Sequence, residues 1–310
     1  MKVPAAVTAV GGTPEVAPGG TVPILGRYQL RERLGRGSLA DVYAATDLAG
    51  GPDVAVKIAA DAGAKQQARI HTEAAILAAL DHPAIIGFKG EGTMPKGCPQ
   101  AGRPFLVEER AFGTSLSETI RNADANRAHI AAWAADLYDG ISRLHRMGLV
   151  HRDIKPANLM LSGLRRSPVK IIDFGITARA GTLPEPGISS GTVHYMSPEQ
   201  ASGQAAHPSW DVYALGLVLL ELLTGTKAYP GTAVESLVAR TLRSPEVPRS
   251  LGGGWSELLR AATAMNGADR PTAAEAATLA SRLIPSGRPR RRAKLLSMSA
   301  VRGLHLTLPA

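Results

Sequence analysis

His151-Arg152-Asp153-Ile154-Lys155-Pro156-Ala157-Asn158, followed by Asp173-Phe174-Gly175, decides how this chain is read. These residues lie in a stretch, 150–173, of loops and two short β-type runs. Ahead of it, Ile130, Trp133, Ala134, Leu137, Ile141 and Leu144 recur at helical spacing. Behind it, 210–223 and 255–283 read as helical again. The first part of the chain differs. Over 28–58 the pattern is strand-like: Val54, Val56 and Ile58 alternate with Ala55, Lys57 and Ala59, which puts Ala55 and Lys57 on one face. Residues 64–80 read as a helix and 84–109 as further strands around a Gly/Pro-rich loop. A strand-rich part followed by a helix-rich part predicts an α+β chain of two lobes.

Two charges ask for an explanation. Ile70, Ala74, Leu77 and Leu80 mark the apolar face of the 64–80 helix, and Glu73 falls on that same face. A carboxylate there is costly unless a cation meets it. A Lys in an alternating strand ordinarily faces solvent, but Lys57 and Glu73 would each account for the other. The segment Leu34-Gly35-Arg36-Gly37-Ser38-Leu39-Ala40-Asp41-Val42 lies between strand patterns, so no helix follows its glycines and a dinucleotide-binding fold is disfavoured. It reads as a hairpin turn or as a hairpin that covers phosphates.

Taken with Gly191-Thr192, Ser197-Pro198-Glu199, the run from Asp211 to Gly216, and Arg270-Pro271-Thr272, the opening motifs resemble those of the eukaryotic-type (Hanks-type) serine/threonine protein kinases of bacteria. The resemblance spans 26–283. It implies a bilobal kinase-like fold, with a strand-rich N-lobe over about 26–112 and a helical C-lobe over about 113–284. It also implies transfer of the γ-phosphoryl of ATP to Ser or Thr hydroxyls of proteins, the kinase itself included. The cofactors implied are ATP and Mg²⁺. By the same resemblance Lys57, fixed by Glu73, would hold the α- and β-phosphates. Asp153 would orient the acceptor hydroxyl and take its proton, and Lys155 would put positive charge at the γ-phosphate. Asn158 and Asp173 would ligate Mg²⁺. Gly35 and Gly37 would cover the phosphates. Leu34, Val42 and Ala55 would lie above the adenine and Met160 below it, with the backbone of Glu109 to Ala111 along its edge. Glu199–Arg270 would form an ion pair, and Asp211 would support the catalytic loop. Arg152 would receive a phosphate from the activation segment, at Thr182, Ser189 or Ser190.

The sequence departs from the family's pattern at two positions. Ala40 replaces the third glycine of the phosphate loop, and Glu108 aligns where the back of the adenine pocket is usually apolar. Glu108 needs a cation or a proton, and would compete with Glu73 for Lys57. The alternative function is a nucleotide-binding pseudokinase or scaffold, favoured only by Glu108. A small-molecule phosphotransferase is disfavoured by Ser197-Pro198-Glu199 and Arg270.

Composition bounds the rest. Hydrophobic residues make up 45% and charged residues 20% of 310, enough for a large core. Of the net charge of +9, six come from Arg288, Arg290, Arg291, Arg292, Lys294 and Arg302. The basicity therefore belongs to a tail, 285–310, and no nucleic-acid partner is expected. The tail reads as a solvated linker, a peripheral contact with anionic membrane, or a docking segment. Residues 1–25 read as a disordered leader. No run is long and apolar enough for a transmembrane helix. Cys98 is the single cysteine, which excludes an internal disulfide and a Cys-rich zinc site and points to a cytoplasmic protein.

Overall fold

The computed structural model describes residues 23–37, 39–123, 125–162, 168–183 and 193–285. Its first part is an antiparallel sheet of β1 (Tyr28–Arg36), β2 (Ala40–Asp47), β3 (Val54–Ala59), β4 (Phe88–Thr93) and β5 (Pro104–Glu109), in the order β1-β2-β3-β5-β4. The helix α1 (Ala64–Ala79) crosses between β3 and β4. The period-2 pattern of β3 divides the sheet. Val54, Val56 and Ile58 join Tyr43, Phe105 and Val107 in a small apolar cluster on one face. Ala55 and Lys57 face the other way, in register with Ala44 and Val42 on β2 and with Glu108 and Leu106 on β5. Ile24 is buried in the first cluster, so folded structure begins inside the segment expected as leader.

The second part is helical: α2 (Leu116–Arg121), α3 (Arg127–His145), α4 (Pro198–Ala201), α5 (Ser209–Thr224), α6 (Ala233–Leu242), α7 (Gly253–Ala262) and α8 (Ala273–Arg282). Short strands run between α3 and α4. β6 (Leu149–Val150) pairs with β9 (Ala178–Arg179), and β7 (Leu159–Leu161) pairs with β8 (Val169–Ile171). The main core runs from α1 and Leu106 down through α3, α5, α7 and α8. The α5 helix is apolar on nearly every side because it is buried on nearly every side, and it ends on Gly225 at φ +74°. Where the two parts join, Gly113 packs so closely that a Cβ would overlap the Leu161 carbonyl.

The continuous helical reading of 255–283 is corrected by a break between α7 and α8. Pro271 lacks a backbone donor, and Thr272 restarts the helix in a capping box with Glu275. The same box at Ser115/Glu118 and Thr232/Glu235 opens α2 and α6. In the break, Arg270 donates to Glu199 at 2.8 and 3.1 Å and to the carbonyls of Ala264, Met265 and Ser209. Its side chain is fully buried. Removing one partner of a buried pair strands the other charge, at a cost of about 3–5 kcal/mol. Arg270→Leu is therefore expected to lower the urea-unfolding free energy by about 3 kcal/mol. A loss under about 1 kcal/mol would mean that the pair behaves as a surface bridge.

Candidate active site

The face of the sheet bearing Lys57 looks onto the catalytic-loop stretch of the second part. Lys57 Nζ lies 2.7 and 2.8 Å from the Glu73 carboxylate oxygens and 2.8 Å from Asp173 Oδ1. These groups come from β3, from α1 and from the turn after β8. Glu73 also accepts the Phe174 N–H at 3.1 Å. Burial alone would pull the Lys57 ammonium down, but Asp173 and Glu73 hold it well above the usual lysine range. Lys57, opposed by burial, holds the Asp173 carboxyl well below the carboxylate range. Burial pushes Glu73 upward against the pull of Lys57.

Below this trio, Asp153 Oδ2 accepts from Lys155 Nζ at 2.7 Å and from Asn158 Nδ2 at 3.1 Å. Both donors come from the same loop, so the carboxylate is fixed by its own neighbours. The loop is in turn held from beneath. Asp211 at the start of α5 accepts the backbone N–H groups of His151 and Arg152, each at 2.8 Å, and a bond from His145 at 2.9 Å. Burial pushes Asp211 up, and the His145 bond with the histidine charges more than offsets it. His151 is buried, which keeps its imidazole below the usual range, and its ring meets Phe174 edge-on with centroids 4.8 Å apart. Arg152 and Asp173 adopt left-handed backbone at φ +68° and +66°, the strained conformation that concentrates at functional sites.

The residues expected to hold Mg²⁺ fit a hard divalent cation. Asn158 spends its amide nitrogen on Asp153, which leaves its carbonyl oxygen as the ligand atom. Asp173 takes Lys57 on Oδ1 and keeps 40% side-chain exposure. Hard oxygens of this kind suit a cation that keeps water and phosphate in its shell. Gly175 lies against the same trio, where a Cβ would come within 3.4 Å of Lys57 Nζ and Glu73 Oε2.

Of the residues expected to line the adenine pocket, Val42 and Ala55 lie on the Lys57 face of the sheet. Val42 pairs with Lys57 and Ala44 with Ala55 across β2 and β3, and Gly35 pairs with Val42 across β1 and β2. Leu34 is exposed at 39%, Gly37 donates to the Ala40 carbonyl, and Met160 pairs with Lys170 in the lower strand pair. Ala111 packs at the edge of the main core. Glu109 gives its N–H to the Gly87 carbonyl at 2.7 Å. Its carboxylate takes Lys170 at 2.8 Å and the Gly87 N–H at 3.1 Å. Sequence reasoning missed this ion pair. The signal was present, since Lys170 interrupts a buried apolar strand as Glu73 interrupts a buried helix face.

Glu108 is buried and does not bond Lys57, which is taken by Glu73 and Asp173. Burial first, then the charge of Glu73, push its carboxyl up from 4.5 to about 8. Glu199–Arg270 and Asp211 stand where they were expected. Thr182 is exposed, whereas Ser189, Ser190, the leader up to residue 22 and the basic tail from residue 286 lie outside the described residues.

A largely buried Lys between two carboxylates, with an Asp bonded to a Lys and an Asn of its own loop, is the arrangement expected of the protein-kinase type. The protein kinase domain model matches residues 28–280, and the chain belongs to that family. Serine/threonine-protein kinase PknB of Mycolicibacterium smegmatis is 36% identical over 236 residues, covering 72% of this chain and 36% of the relative. PknB of Mycobacterium tuberculosis is 36% identical over 235 residues, with the same coverage. A probable serine/threonine-protein kinase of Streptomyces coelicolor is 36% identical over 235 residues, covering 72% of this chain and 34% of the relative. The chain thus spans about a third of the length of these curated relatives. Protein kinases generally use ATP and Mg²⁺. Among the described residues, no helix is long and apolar enough to cross a membrane.

The Glu108 carboxyl gives the site a pH signature. Its folded pKa is raised from 4.5 to about 8, so the native state keeps a proton that the unfolded chain releases. Stability from this group therefore falls as pH climbs through that window. The melting-temperature advantage of Glu108→Gln over wild type should grow between about pH 5 and about pH 8. Parallel curves across that range would show that the carboxyl is not held neutral.

Proposed function

We propose that the chain is an ATP- and Mg²⁺-dependent serine/threonine protein kinase, transferring the γ-phosphoryl of ATP to Ser and Thr hydroxyls of proteins, itself included. The observation that carries this reading is the contact of Lys57 with both Glu73 and Asp173, set over an Asp153 held by Lys155 and Asn158. Phosphoryl transfer passes through a loose transition state with charge spread over the moving oxygens, so positioning and electrostatics supply most of the catalysis. Lys57 binds the α- and β-phosphates, and Glu73 keeps its ammonium in place. Asp153 orients the acceptor hydroxyl and takes its proton as the oxygen bonds to the γ-phosphorus and the bond to ADP breaks. Lys155, tied to Asp153, neutralises charge on the transferred group. Asn158 and Asp173 would hold Mg²⁺, which would offset the phosphate charge. Gly35 and Gly37 let the hairpin backbone approach the phosphates.

The base lies between Leu34, Val42 and Ala55 above and Met160 below, against the backbone of Glu109 to Ala111. The Glu109 N–H is already engaged, so this residue meets the base through its carbonyl. The Glu108 side chain, which alone favoured a non-catalytic reading, leaves Lys57 to its catalytic partners. Protein rather than small-molecule acceptors are supported by the Glu199–Arg270 anchor beside α4. Lys155 supports Ser or Thr rather than Tyr as acceptor. Self-phosphorylation is assigned to one or more of Thr182, Ser189 and Ser190, with Arg152 beside the catalytic Asp as the phosphate's partner. A cytoplasmic location rests on the single cysteine. A peripheral contact of 285–310 with anionic membrane rests on the tail's charge alone.

Labelled ATP with Mg²⁺ tests this directly, scored for transfer to a Ser/Thr peptide and for mapped self-phosphorylation. Asp153→Asn should lose about 10²–10⁴-fold in kcat while nucleotide affinity and melting temperature hold. Near wild-type turnover in that variant would remove Asp153 from the chemistry.

A further inference from the structure

Helix α6 is docked by the wrong kind of residue. Its only buried positions are Ser236 and Arg240, one turn apart, while its large apolar side chains Val234, Val238 and Leu242 are exposed. A surface helix ordinarily buries its apolar stripe. Arg240 has no exposed surface, and among the described residues no carboxylate pairs with it. Its Nε donates to the Ser236 carbonyl at 3.1 Å and its Nη2 to Ser236 Oγ at 2.7 Å, both on its own helix. Its Nη1 leaves the helix and donates to the Met196 carbonyl at 2.5 Å. A buried cation without an anion is costly. An apolar side chain would avoid that cost, but only the guanidinium fork can bond its own helix and a second segment at once.

The second segment, 195–200, borders the catalytic loop. Tyr195, Met196 and Gln200 line a small cavity together with Asp153, Ile154 and Trp210. Gln200 Nε2 donates to the Arg152 carbonyl at 3.0 Å. Three ties therefore hold this segment: Arg240 on Met196, Arg270 on Glu199 and the catalytic loop on Gln200. The two arginines share a support. Arg240 lies over the Tyr229 ring at 5.4 Å and Arg270 over the Tyr213 ring at 4.6 Å, and the two tyrosine hydroxyls are 3.2 Å apart. Tyr229 also donates to the Arg243 carbonyl at 2.8 Å, just past the end of α6. An acceptor whose hydroxyl is presented to Asp153 meets this segment, because both border the same cavity.

We propose that Arg240 is a positioning residue for the protein acceptor: by holding the Met196 carbonyl it fixes the wall of 195–200 against which the acceptor backbone lies, so that acceptor binding depends on it and ATP binding does not. The inference rests on the protein-acceptor reading given above and deepens it. Arg240 acts through Met196 and touches no residue assigned to ATP or Mg²⁺; its contacts are Ser236, Met196 and the Tyr229 ring. Without the guanidinium the Met196 carbonyl loses its donor, and that end of the segment is released while Glu199 and Gln200 stay held. A wall displaced at one end costs acceptor affinity, whereas the cluster around Lys57 is left as it was.

The test is steady-state kinetics on the full chain, varying ATP and a Thr-containing peptide that the wild type phosphorylates. Arg240→Met should raise KM for the peptide about tenfold, while KM for ATP stays within about twofold of wild type. Ser236→Ala controls for a merely structural role. It removes a bond within α6 and leaves the Met196 contact, so it should lower the melting temperature without moving the peptide KM. Arg240→Lys keeps the charge but not the fork, and should raise the peptide KM only about threefold. An unchanged peptide KM in Arg240→Met overturns the proposal. So does an equal rise for peptide and ATP, or a rise in Ser236→Ala as large as in Arg240→Met, because the effect would then belong to the fold or to the helix. If Arg240→Met does not fold, Arg240→Lys decides: a rise confined to the peptide supports the proposal, and an unchanged peptide KM overturns it. A wild type that transfers phosphate to no protein or peptide hydroxyl would sink the protein-acceptor reading itself.

Discussion

The ammonium of Lys57 is largely withdrawn from solvent between two carboxylates, and the site is organised around that contact. A buried cation must be met by anions or lose its proton. Here it is met by two carboxylates from separate elements, Glu73 on α1 and Asp173 after β8. The contact joins the sheet, the helix beneath it and the helical part of the chain at one point. From there the links continue through the Phe174 N–H on Glu73 and the Phe174 ring against His151 to Asp211, which holds the catalytic loop by its backbone. Displacing Lys57 would leave the buried Glu73 carboxylate without its cation.

Two further buried pairs frame the centre. Glu199 and Arg270 fix the segment leading into α4 against the break before α8. Glu109 and Lys170 tie the end of β5 to the lower strand pair β7–β8, and Gly87 takes part through both backbone groups. The end of β5 is thereby held to the helical part as well as to the sheet. Glu108, one residue earlier, is the exception in this scheme, a polar side chain that the protein leaves unanswered.

Much of this was legible in the sequence because the chemistry is local and the penalties are large. The alternation of β3 placed Lys57 and Ala55 on one face, and a carboxylate on the apolar face of α1 demanded a cation. The order of motifs after His151 carried the fold. The Lys170–Glu109 pair obeyed the same logic and was still missed, because a three-residue strand offers too little pattern to show that it is buried on both faces. The break at Pro271 was hidden by apolar residues continuing on both sides of it, although the Thr272/Glu275 capping signature marked the restart. Ile24 was hidden in a segment whose Gly, Pro and Ala content read as leader, and only the tertiary contact with the outer face of the sheet reveals it.

The central claim is that Lys57 and Glu73 act as one unit. A double-mutant cycle on kcat/KM tests it most directly, with Lys57→Met, Glu73→Gln and the combined variant compared with wild type under the same Mg²⁺ and ATP. Each single change should cut transfer steeply, and the combined variant should lose far less than the sum of the two in free energy, because the second change removes a partner already without function. Losses that add would contradict the account, showing that the two side chains contribute to transfer independently.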